Sequence, residues 1–184
     1  MDTVSFTAMA DGTREEYEFL ARREAAEAAL VPGRILAMLR SMDENTGYRI
    51  TRLEHSLQSA TRAHRDGCDE DYVVMCLVHD IGDMISPANH SQAAASVLRP
   101  YVSEDLYWIV LHHGIFQGYY YLHHYGRDRN ARDQFIDHPL YDATVEFCAK
   151  YDQNCFDPDY DSEPLEFFAP MVERVFGRPP KSFV

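Results

Sequence analysis

Apolar positions along this chain recur at helical spacing, and no stretch alternates as a strand would. Arg14 to Leu30 is rich in Ala, Glu, Leu and Arg, all good helix formers, and "VPG" at Val31 to Gly33 ends it before a second helix that runs to about Met42. "DENTG", Asp43 to Gly47, is turn chemistry. A third helix is expected near Arg52 to Arg65, stopping at Gly67. Asp69 can cap a fourth, in which Val73, Val74, Leu77, Val78 and Ile81 fall at helical intervals. "SPAN" is another turn, and a fifth helix near His90 to Leu98 ends before Pro100. Ser103 caps a sixth, with Glu104 and Asp105 in its first turn, reaching about Gly114. Ile115 to His138 reads as a long aromatic, Arg-rich connection with room for short helices. A seventh helix runs from Pro139 to about Asp152, "FDPDYDSEP" is a capping loop, and a last helix lies near Leu165 to Phe176, with Pro170 as an alternative start. The expectation is one all-α domain over residues 1–184, with N-terminal helices at about 13–42.

Composition narrows the function without naming it. The chain has 184 residues, 46% hydrophobic and 26% charged, enough for one core. A formal net charge of −13 argues against nucleic acid or a membrane surface as partner, since both call for a basic face. The start of the chain has no basic, apolar leader, and no apolar run reaches the roughly 18 residues of a membrane span. The four cysteines form no CxxC pair and read as small apolar fillers, which fits a reducing cytoplasm. A small-molecule substrate is the expected partner; the oligomeric state is open.

The candidate chemistry lies in where imidazoles and carboxylates fall. His55 sits inside the third helix, His79 and Asp80 close the fourth, and His90 opens the fifth. His112 and His113 close the sixth, and Asp152 closes the seventh. Charged groups ending an apolar run such as "MCLVHDIGD" are costly to bury unless paired or bound to metal. Adjacent helical residues point about 100° apart, yet His79 and Asp80 can still meet one ion near a helix end. Nitrogen and carboxylate donors together suit Fe, Mn, Co or Zn. Close by, Tyr119 to Tyr121 can wall a pocket or simply pack, and Arg127, Arg129 and Arg132 can hold an anion or face solvent beside Asp128 and Asp133.

Taken in order, "EHSLQSA", "CLVHDIGD", "ANH", "LHHG" and "KYDQ" resemble the HD-domain superfamily. More narrowly they resemble its oxygen-activating branch, which includes myo-inositol oxygenase and the HD-domain phosphonate oxygenases. The resemblance covers about Leu53 to Phe156 and implies a helical bundle with a metal site between its helices. Carried over residue by residue, it implies His55, His79, Asp80, His90, His113 and Asp152 as ligands of two irons, with Asp80 bridging and His112 the rival of His113. It further implies a mixed-valent Fe(II)/Fe(III) pair, O2 as co-substrate, and cleavage of a C–P or C–C bond in a small hydroxylated substrate such as a hydroxylated aminoethylphosphonate. Tyr48, in "NTGY", stands where some phosphonate oxygenases carry a gating Tyr-x-x-Glu. Asp83 falls at a position that faces substrate or oxygen, where a carboxylate favours a substrate cation. Gln117, Tyr120, Arg129 and Lys150 complete the expected substrate contacts. Many HD proteins are instead phosphohydrolases, and their minimal H…HD…D motif is present too, as His55, His79, Asp80 and Asp152.

Overall fold

The computed structural model describes residues 2–181, and residues 1 and 182–184 of the expected domain lie outside them. In the described residues eight α-helices follow one another: α1 Arg14–Ala28, α2 Val31–Ser41, α3 Arg52–Arg65, α4 Glu70–Val78, α5 His90–Leu98, α6 Glu104–Tyr121, α7 Tyr141–Phe147 and α8 Leu165–Phe176. Short 3₁₀ turns link several of them, and the described residues contain no strand. The fold is an all-helical bundle.

Local chemistry sets the helix starts. Thr13 with Glu16 and Thr51 with Glu54 form capping boxes, in which each side chain satisfies a free backbone N–H of the first turn. Asp69 accepts from the Tyr72 N–H and Ser103 from the Leu106 N–H. In α4 every residue from Val73 to Val78 is buried, so the helix is apolar all round and can only be central. It packs between α3 and α8, while α5 lies against α6, and α6 against α7. Phe116, Phe147, Phe168 and Phe176 fill the core around them.

Three boundaries depart from the sequence reading. α4 ends at Val78, and the chain continues through Asp80 into a 3₁₀ turn, Ile81–Met84, so Ile81 and Asp83 are not on the helix. α6 does not stop at Gly114; it runs to Tyr121, and the chain turns at Gly126, whose φ of 67° is left-handed. Gly114 is there for contact instead, since a Cβ would sit 2.6 Å from Ser91 Oγ on α5. The seventh helix begins at Tyr141 rather than Pro139, and at Cys148–Asp152 it widens into a π-turn. α8 starts at Leu165 and carries Pro170 internally.

Candidate metal centre

The structure brings six of the expected residues together. His55 comes from α3; His79 and Asp80 follow the last turn of α4; His90 opens α5; His113 lies on α6; Asp152 ends the π-turn. Their inward atoms form two groups. In the first, His55 Nε2 lies 3.2 Å from His79 Nε2 and 3.5 Å from Asp152 Oδ1, which is 3.8 Å from His79 Nε2. In the second, His90 Nε2 lies 3.2 Å from His113 Nε2. Asp80 stands between them. Its Oδ2 is 3.6 Å from both His55 and His79 Nε2, and its Oδ1 is 3.1 Å from His113 and 3.5 Å from His90 Nε2.

Backbone carbonyls orient all four rings. His55 Nδ1 faces Cys155 O at 2.9 Å, His79 Nδ1 faces Cys76 O at 2.7 Å, His113 Nδ1 faces Val110 O at 2.7 Å, and His90 Nδ1 faces Pro87 O at 3.2 Å. A carbonyl only accepts, so in the neutral form of each ring Nδ1 carries the proton and Nε2 presents a lone pair inward. Two lone pairs 3.2 Å apart repel unless a proton or a metal ion stands between them. The acid pair asks for the same positive charge. Burial opposes charging His79, yet Asp80 and Asp152 raise it to about 9. Burial likewise opposes ionising Asp80, but the imidazoles, His79 and His113 foremost, hold its carboxyl well below the usual range. Burial and the neighbouring His79 push His55 down, leaving it neutral. Metal–ligand bonds of about 2.1 Å place neighbouring donors roughly 3.0–3.5 Å apart, close to the spacings in both groups. Asp152 Oδ2 adds a buried oxygen with no partner. The donor set fits divalent metal.

Glycine lets these elements meet. A Cβ on Gly82 would fall 2.8 Å from the His90 carbonyl carbon and 2.9 Å from Ala94 N, with the His90 oxygen closer still. The turn after His79–Asp80 therefore presses directly on the start of α5.

Above the two groups opens a cavity of about 590 Å³. Tyr48, Gln117, Tyr120 and Asp83 line it, together with Tyr121, Tyr125 and Phe156. The exposed Tyr48 ring leans on Phe156 at 5.1 Å, and Phe156 covers His55 at 4.6 Å. Asp83 is not a free carboxylate awaiting a substrate cation, because it pairs with Arg52. Arg129 does not reach the cavity: with Arg132 it stacks on Tyr119, at 4.1 and 3.8 Å from the ring centre. Lys150 is exposed, pairs with Glu146, and borders a separate cleft with Arg62 and Arg65. His112, the rival of His113, turns outward, its Nδ1 on Trp108 O and its ring stacked on the indole at 4.1 Å.

Sequence reasoning missed three contributors. Arg52 is the cationic side chain of the cavity wall; its place three residues before His55, hence on the same helix face, was a usable signal. The Cys155 carbonyl and Phe156 lie on the loop after the π-turn. That loop is fastened to α3 by Gln58, which bonds both the N–H and the carbonyl of Asp157, by Arg62 to Asn154 O, and by Thr61 to Glu163 N. The sequence marks a loop from Phe156 to Pro164, but nothing local in it marks these contacts.

The stretch 52–138 matches the family model of the HD domain. It holds five of the six clustered residues and stops short of Asp152. Proteins with this domain are commonly metal-dependent enzymes, hydrolases and oxygenases among them. No curated protein matches the chain. Among the described residues no helix is long and apolar enough to cross a membrane.

Proposed function

We propose that this chain is a non-haem diiron oxygenase that uses O2 to cleave a C–P or C–C bond of a small hydroxylated substrate. The observation that carries the reading is the division of Asp80: one oxygen toward His55 and His79, the other toward His90 and His113. His55, His79 and Asp152 would hold one ion, His90 and His113 the other, and Asp80 would bridge them. Four imidazoles against two carboxylates form a nitrogen-rich set that suits iron better than magnesium or calcium. When bound, the pair supplies Lewis acidity toward a substrate hydroxyl and redox chemistry with O2.

The chain's own residues do the rest. The carbonyl-locked rings keep their geometry before substrate arrives. Phe156 covers His55, and Tyr48, Tyr120 and Tyr121 line the cavity beside it. A substrate anion would meet its side-chain cation in Arg52, which Asp83 already partly neutralises. That balance favours a substrate held chiefly by its hydroxyl.

Protein loaded anaerobically with Fe(II) is expected to consume O2 in step with loss of a hydroxylated phosphonate or polyol from a substrate panel. If Mn or Co instead supports phosphate-ester hydrolysis at enzymatic rates without O2, the hydrolase reading replaces this one.

A further inference from the structure

Gln117 lies one helical turn beyond His113 on α6 and so projects to the same side. Its Nε2 donates to Asp152 Oδ1 at 2.8 Å. Oδ1 is the oxygen that faces His55 and His79, whereas Oδ2 is buried and has no partner. A carboxylate cannot donate, so the amide must turn its NH2 toward Asp152, and its Oε1 is left buried without a partner. Asp152 closes the π-turn, and Gln117 Nε2 is a neutral donor held against its carboxylate.

We infer that Gln117 is the positioning residue for Asp152, fixing which carboxylate oxygen joins His55 and His79. The inference rests on the two-metal reading above. Gln117 does not itself bind the ion; it acts through Asp152, and its loss should weaken one of the two metal positions while sparing the one built on His90 and His113. Groups that hold a ligating carboxylate typically contribute about 10–100-fold to metal affinity.

The test is Co(II) titration of the full chain, stripped of metal, read by visible absorption and by competition with a chelator. The wild type should take two Co(II). Gln117→Met keeps the length and removes the donor; it should hold one Co(II) as the wild type does and the other about 10–100-fold more weakly. Gln117→Leu is a second removal of the donor should the Met variant fail to fold. In an Asp152→Ala background, Gln117→Met should cause no further loss, because a residue acting only through Asp152 is silent once that side chain is gone. A wild type that binds fewer than two Co(II) overturns the two-metal reading itself. A wild type that binds two, beside a folded Gln117 variant of equal affinity at both positions, overturns the role of Gln117 alone. So does an equal loss with and without the Asp152 carboxylate.

Discussion

Replacing Gly82 by Ala tests whether the close approach of the 81–84 turn to α5 builds the second metal position. The added Cβ would lie 2.8 Å from the His90 carbonyl carbon and 2.9 Å from Ala94 N. Ordinary carbon contacts need about 3.5–4.0 Å, so the start of α5 must withdraw by roughly 1 Å. The obstacle is backbone on both sides, and no side-chain rotation relieves it. Overpacking of this kind costs about 1–3 kcal/mol, which in a chain of this size lowers Tm by roughly 2–12 °C. The functional cost should be sharper. His90 Nε2 now sits 3.2 Å from His113 Nε2 and 3.5 Å from Asp80 Oδ1, and a coordination bond of about 2.1 Å does not stretch by half its length. Gly82→Ala should therefore fold, keep the metal held by His55, His79 and Asp152, and lose most affinity at the other position. Differential scanning calorimetry with elemental analysis of the desalted protein reads both effects. A variant with wild-type Tm and two full equivalents of metal would refute the reasoning.

Two further outcomes follow from the site and the N-terminus. Asp80→Ala should lose both metals, whereas His90→Ala should lose mainly one; elemental analysis showing two retained in Asp80→Ala removes the bridge. Glu16 receives the backbone N–H groups of Thr13 and Ser5, which hold its carboxyl at about 2, below the ordinary 4.5. Its folded value is the lower one, so the stability it adds is present above pH 4.5 and lost as pH falls toward 2. Hydrogen exchange of residues 5–16 should rise over that interval in the wild type, and Glu16→Gln should abolish the pH dependence.

How far the sequence foretold this arrangement depended on whether a signal was local. The bounds of α3 and α5 were legible because stops are written in neighbouring residues: Gly67 just past one end, Pro100 beyond the other. The end of α6 was misread because Gly114 has the chemistry of a helix stop but is used for close packing against Ser91. No residue pattern marks the π-turn at Cys148–Asp152, since it differs from α-helix only in which carbonyl each N–H finds. The ordered imidazoles and acids were readable as one set. Choosing between His112 and His113 was not, because the two differ only by rotation about α6. Arg129 and Lys150 were drawn toward the site by nearness in sequence, and both turn out to serve other partners. The Cys155 carbonyl belongs to the site through the third dimension alone.

The site stands at helix ends for a physical reason. An α-helix leaves its last four carbonyls without an internal partner, and Cys76 O is one of those of α4. When His79 turns its Nδ1–H back onto that carbonyl, a single hydrogen bond satisfies the helix end and fixes the ring with Nε2 facing inward. His90 does the same across the turn before α5, through Pro87 O. His55, in the first turn of α3, turns its Nδ1 instead to Cys155 O on the loop after the π-turn. That explains why the loop is tied so thoroughly to α3 through Gln58, Thr61 and Arg62: the aim of one imidazole depends on it. His79 and His90 thus carry their own supports, whereas His55 and Asp152 rely on distant ones, the 153–157 loop and Gln117. The metal position formed by His55, His79 and Asp152 is accordingly the one most exposed to changes made far from it in sequence.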